Sequence, residues 1–321
     1  MQPAHALAAP RVAGKPHRRH KLGRPRLLIV GCGDVGLRIL SRLASRYRVV
    51  ALTSTPARVM VLRDAGAVPI VGDLDRRSSL RRLRGCAPWL LHLAPPADDS
   101  PRDTRTRHLM AVLAGATRRA VYISTTGVYG DHAGRLIDET ARLSPANERA
   151  RRRVDAERVM RDRCRATVLR VPGIYAHDRL PLERLRRGLP ALLDADDVYT
   201  SHVHADDLAR ICITALLRGA AARVYNAVDG SSMKMGEYFN AVADASGLPC
   251  PPRLPRAQLQ AAVSPVMYSF MTESRQLVNR RLVRELRVRL LYPTVANALA
   301  SLTGQTYAFA ERENGPRGPS S

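Results

Sequence analysis

The run RLLIVGCGDVGLRIL at residues 26–40 constrains this chain more than any other part of it. An apolar segment, Leu27 to Val30, leads into Gly-x-Gly-x-x-Gly and then into a helical pattern. Strand, tight turn and helix in that order are what a dinucleotide pyrophosphate requires. Gly31 permits the turn, Gly33 lets the backbone approach the phosphates without a side chain, and Gly36 allows close helix–strand packing. The helix opening at Asp34 and Val35 aims free N–H groups and its positive dipole end at the same place.

The pattern then alternates. Residues 47–52 form a second strand, followed by Thr55-Pro56, a cap residue with proline in the first helical turn, and Gly66 ends that helix. Residues 68–71, 89–93, 120–124 and 166–171 give further strands, with helical stretches at 104–113 and 148–163 between them. A short strand at 223–226 and a helix at 206–217 continue the series. This rhythm predicts an α/β chain: a Rossmann-type doubly wound parallel sheet with a smaller C-terminal substrate lobe. The expected organisation is a disordered basic extension over 1–25 and a dinucleotide-binding core over 26–175. A substrate lobe interleaved with the last sheet elements covers 176–302, and a polar tail 303–321.

Composition narrows the function classes. The formal charge of +24 attracts polyanions, yet the arginines are scattered at helical spacings that read as solvated faces, and aromatics make up only 4%. No helix-turn-helix, zinc-finger or ribonucleoprotein pattern accompanies them, so no specific nucleic-acid partner is expected. The five cysteines are odd in number and widely spaced, which predicts a reducing cytoplasm and no structural metal. No apolar run reaches the length of a membrane span. A monomer or homodimer acting on a small molecule is the expectation.

Ligands of such sheets bind beyond the carboxyl ends of the strands. An acid at the end of the second strand would bind the ribose 2′-hydroxyl of NAD. Here Thr53 and Ser54 stand there, with Arg58 just beyond, and hydroxyls with a guanidinium suit a 2′-phosphate. NADP is therefore expected in preference to NAD. Asp73 and Leu74 after the third strand, and Leu93 and Ala94 after the fourth, complete the expected cofactor set.

Several motifs now fall in order: residues 72–74, 92–94, STTGVYGD at 124–131, LRVPGIY at 169–175, HADDL at 204–208 and YNAVD at 225–229. On these the chain, from Leu27 to Leu302, resembles the NAD-dependent epimerase/dehydratase family of the extended and atypical short-chain dehydrogenases/reductases. The resemblance implies a substrate lobe that often accepts nucleotide sugars. It also implies a tyrosine acid/base, a lysine four residues later, and a hydroxyl that falls on Thr125. Alignment on Ala156-Glu157 puts Arg149 where the tyrosine belongs and Arg153 where the lysine belongs. No Tyr-x-x-x-Lys occurs anywhere in the sequence. Arg153 can still supply positive charge beside the nicotinamide ribose, whereas Arg149 cannot exchange a proton near neutrality. The Asp-Glu pair of the dehydratase branch is also missing, because Thr126-Gly127 stands in its place. His204 titrates in the right range to substitute as acid or base; the competing expectation is that a histidine followed by acids at a helix start is a cap and packing element, with Asp206 or Asp207 capping the helix through Leu217. The reading is an NAD(P)-dependent epimerase-like oxidoreductase with an altered Tyr/Lys site. A non-catalytic NADP-binding sensor is the alternative, and a basic N-terminal arm that engages nucleic acid is a third.

Overall fold

The computed structural model describes residues 23–301 with the exception of residue 114. Most of the expected N-terminal extension and all of the expected tail lie outside those residues. Five strands open the fold: β1 (Arg26–Val30), β2 (Arg48–Thr53), β3 (Val68–Val71), β4 (Trp89–His92) and β5 (Arg119–Thr125). With Thr167–Val171 and Val224–Asn226 they build one seven-stranded sheet. Its order is β3-β2-β1-β4-β5, then Thr167–Val171, then Val224–Asn226, and every pairing is parallel. All but the first residue of β1 are buried, as in a strand covered on both faces.

The covering helices follow from side-chain alternation along each strand. Leu27 and Ile29 face one layer, which contains α1 (Asp34–Leu43) and the Ala205–Arg218 helix. Leu28 and Val30 face the other, which contains α3 (Thr104–Leu113) and α4 (Glu148–Cys164). In α1 the buried positions Gly36, Ile39, Leu40 and Leu43 make one stripe at helical spacing. The short α2 (Val59–Asp64) follows a 3-10 turn at Pro56–Arg58, and Gly66 leaves it with φ +88°. A third core, centred on Tyr175, Leu192, Phe239, Val242, Leu259 and Val295, lies in the chain beyond Thr167–Val171.

Most of the arginines read as solvated faces are exposed, among them Arg81, Arg82, Arg151, Arg186, Arg187 and Arg280, but three arginines are not. Arg152, Arg170 and Arg184 are buried. Arg170 donates to Glu157 through Nε (3.2 Å) and Nη2 (2.9 Å), and both side chains are 4% exposed. The Arg170 guanidinium also lies over the Tyr129 ring, 4.8 Å from its centroid. Arginine residues in this chain therefore pin elements together, which a charge count cannot reveal. All five cysteines are free. Among the described residues, no group of side chains is arranged to hold a metal ion and no helix is long and apolar enough to cross a membrane.

Candidate functional site

The chain runs outward from β1 to β3 and returns to β4 on the other side of β1. That reversal opens a crevice at the carboxyl ends of the strands. A cleft of about 440 Å³ lies there. Its walls are the glycine loop (31–33), residues 53–55 with Arg58, residues 72–74, residues 93–95, and Arg105 from α3.

The loop is built for close approach. Gly31 has φ +85°, and a Cβ there would stand 2.5 Å from the amide nitrogen of Ala94. Gly33 is different, because a Cβ added to it meets nothing within 4 Å. It is also the N-cap of α1, and no side chain caps that helix end. Free N–H groups facing open space fit the phosphates of a dinucleotide. Gly36 is crowded by the loop: a Cβ at this position would meet the Cys32 sulfur at 3.1 Å and the Gly31 carbonyl at 3.4 Å. The nearest atoms to it thus belong to the turn. Burial raises the Cys32 thiol to about 11 and keeps it neutral.

Asp34 and Val35 do not line the cleft. Val35 packs on the core, and the Asp34 carboxylate accepts from Arg38 (3.1 Å) and Arg179 (2.9 Å). These two guanidiniums offset an anion in the first turn of a helix whose end suits another anion. Arg38 also reaches Asp178 (2.7 Å) and Asp206 (3.2 Å).

At the end of β2 the Thr53 hydroxyl accepts from the Thr55 amide at 3.2 Å. Ser54 is exposed, and Arg58 reaches back to donate to the Cys32 carbonyl at 2.9 Å. Asp73 holds the turn after β3, accepting from the Asp75 amide at 3.0 Å. The Leu74 carbonyl meets His108 Nδ1 at 2.9 Å, and the Leu93 amide donates to Val30 at 2.8 Å. Nine of the expected cofactor residues thus come together: Gly31, Gly33, Thr53, Ser54, Arg58, Asp73, Leu74, Leu93 and Ala94. The sequence reading missed Arg105. Its one sequence signal is its place in the first turn of the helix after β4.

Beyond Ala94 lies the region where the resemblance puts catalysis. Thr125 ends β5 half-buried, and its hydroxyl oxygen accepts from the Gly127 amide at 3.2 Å. That bond fixes the side chain and leaves the hydroxyl hydrogen free to donate. Arg153 donates to the Ile123 carbonyl (2.7 Å), the Tyr122 hydroxyl (3.0 Å) and the Ala94 carbonyl (3.4 Å). It joins the ends of β4 and β5. Arg149 is exposed and its guanidinium lies 4.7 Å from the centre of the Phe270 ring. Tyr122 is fully buried, and burial moves its phenol up to about 12. His92, at the end of β4, meets Thr106 at 2.8 Å, and Thr106 donates to Asp103. Thr106 therefore receives the His92 Nε2 hydrogen, and burial lowers this imidazole to about 3.

His204 takes the place of the cap and packing element of the competing expectation. It does not line the cleft, is 1% exposed, and its Nδ1 accepts from the Asp206 amide at 3.2 Å as the side-chain cap of the Ala205–Arg218 helix. Desolvation lowers its pKa, and the ring packs 4.0 Å from that of Tyr292. The expected caps do other work. Asp206 pairs with Arg38 and Arg42, while Asp207 accepts from the Leu291 and Tyr292 amides at 2.7 and 2.8 Å.

Comparisons with known proteins agree with this architecture. Residues 27–85 match the TrkA-N domain. No curated protein matches the sequence. Among solved structures, a functionally unknown conserved protein from Silicibacter pomeroyi DSS is 29% identical. It has a TM-score of 0.74 over 88% of this chain and 99% of that one. The UDP-glucose 4-epimerase of Thermotoga maritima, solved with UDP-glucose, has a TM-score of 0.71 at 17% identity, covering 89% and 100%. A human epimerase family protein solved with NADPH has a TM-score of 0.67 at 19% identity, covering 87% and 99%. The parallel sheet, the glycine loop and these likenesses give the chain the fold of the NAD-dependent epimerase/dehydratase proteins.

Proposed function

We propose that this protein binds NADP(H) and acts as an epimerase-like oxidoreductase on a small carbonyl or hydroxyl compound such as a nucleotide sugar. The observation that carries the cofactor half is Arg58. Its guanidinium bridges from the end of β2 to the glycine loop, beside Thr53 and Ser54, and no carboxylate from the end of β2 lines the cleft there. A 2′-phosphate finds a cation and hydroxyls at that point. The fold likeness to the Thermotoga epimerase with UDP-glucose supports the substrate class.

The chemistry that such a cofactor brings is hydride exchange. Gly31, Gly33 and the α1 N-terminus would hold its phosphates, and Ala94 and the end of β5 would border the reacting end. Thr125 would hold a substrate oxygen, by donating its free hydroxyl hydrogen. Arg153 shapes the wall through Ala94 and Ile123. Arg149 holds no exchangeable proton near neutrality, so the usual phenol step has no counterpart at that position.

A second reading is favoured by that same pair. Arg149 on Phe270 and Arg153 on backbone carbonyls suit an NADP(H)-binding sensor whose lobe reports cofactor state. One experiment separates the two. The purified protein is assayed for bound nucleotide by absorbance and mass spectrometry, then followed for NADPH oxidation against sugar nucleotides and small carbonyls. Turnover that falls at least tenfold in Thr125→Val supports the enzyme. Bound cofactor with no turnover on any substrate favours the sensor, and turnover unaffected by Thr125→Val overturns the catalytic assignment.

A further inference from the structure

Arg105 lines the cofactor cleft, and three of its five N–H donors are taken up by the protein. Nε and Nη2 each donate to one oxygen of Asp75 at 2.7 Å, and Nη1 points at the Pro96 carbonyl at 3.4 Å. A bidentate pair of this kind fixes the plane of the guanidinium as well as its position. With both sides of the fork held, the guanidinium offers a ligand its flat, delocalised face beside one remaining N–H on each Nη. A second link from the same helix, His108 to the Leu74 carbonyl at 2.9 Å, holds α3 against the turn after β3. Asp73 and Leu74 border the cleft on that side, and Pro95 and Ala94 border it on the other.

We infer that Arg105 is the base-stacking residue of this cleft, and that Asp75 presents its guanidinium face to the adenine of the bound dinucleotide. The inference rests on the NADP(H) reading above and adds a residue to it. Division of labour between the two cleft arginines follows from their partners. Among the described residues the Arg58 side chain gives one hydrogen bond, to a neutral carbonyl, and keeps its charge for a phosphate. Arg105 has its charge offset by Asp75, so it contributes to any adenine nucleotide whether or not a 2′-phosphate is present. Stacking of a base on an aromatic or guanidinium plane is worth enough that its removal weakens binding about tenfold.

The test titrates wild type, Arg105→Ala and Asp75→Asn with NADPH, NADH and ADP-ribose. It also records the fluorescence of bound 1,N6-etheno-NADP, whose modified adenine reports its own surroundings. Arg105→Ala weakens all three ligands by the same factor of about ten. It also shifts the ethenoadenine emission, with an unchanged thermal midpoint. Asp75→Asn leaves the guanidinium in place but unpins it, and weakens all three by a smaller common factor. ADP-ribose affinity within twofold of wild type in Arg105→Ala, or an unaltered ethenoadenine signal, overturns the assignment. So does a loss confined to NADPH, because that makes Arg105 a phosphate ligand. Wild-type protein that binds none of the three ligands overturns the dinucleotide reading itself.

Discussion

Arg153 donates to the carbonyl of Ile123 at 2.7 Å, near the carboxyl end of β5, from the position that alignment on Ala156-Glu157 would give to a lysine. The same guanidinium serves Tyr122 and Ala94, so one side chain from α4 ties β5 to the residue following β4. A shorter, single-centred ammonium cannot span three acceptors with fixed geometry.

Arg153→Lys accordingly does not restore the family's chemistry. We expect it to destabilise the protein by about 1–3 kcal/mol, because the buried Tyr122 hydroxyl loses its partner. NADP(H) affinity should fall with it, as the Ala94 wall loosens. Urea unfolding and cofactor titration check both. A lysine variant that is as stable as wild type and gains turnover would show that Arg153 is a degraded catalytic position, not a structural one.

Glu157 and Arg170 form the most buried ion pair among the described residues. Removing one partner strands the other, so Glu157→Gln or Arg170→Met should cost about 3–5 kcal/mol. Replacing both together should cost less than the sum of the single changes. Equilibrium unfolding of the double-mutant cycle measures the difference.

Acid lability should trace to buried imidazoles. Burial lowers His92 to about 3 and His202 to about 4. The unfolded chain takes up protons near pH 6.5 that the folded chain refuses. The stability each imidazole contributes is therefore fully present above about pH 6.5 and is lost as pH falls, by about 1.4 kcal/mol per pH unit per site. Asp229 acts in the opposite sense, since desolvation raises it to about 6 and its effect runs between its unfolded value and that point. The stability difference between wild type and His92→Gln should shrink by that slope from pH 6 to pH 4, measured by urea unfolding in matched buffers. A difference independent of pH contradicts a buried neutral His92.

Much of the scaffold is legible in the sequence, for a physical reason. Strands of a parallel sheet covered on both faces read as short apolar runs, and the residues at 27–30 and 49–52 do so plainly. The glycine loop is legible because Gly31 is demanded by its positive φ and its close approach to Ala94, which a motif records. Arg152 and Arg170 are not legible, because a charge at helical or strand spacing looks solvated until its partner is known. His204 misleads for a similar reason: its titration range suggests chemistry, but its Nδ1 is spent on a helix end. Arg105 escapes because its partner Asp75 is thirty residues away in another unit of the sheet.

The cofactor preference is the central claim, and the glycine loop with Arg58 is its basis. Titration of the purified protein with NADPH and NADH under identical salt tests it most directly, with Arg58→Ala alongside. We predict that NADPH binds about tenfold or more tightly than NADH, and that Arg58→Ala removes most of that difference while leaving NADH nearly unchanged. Equal or tighter binding of NADH by the wild-type protein would contradict the account.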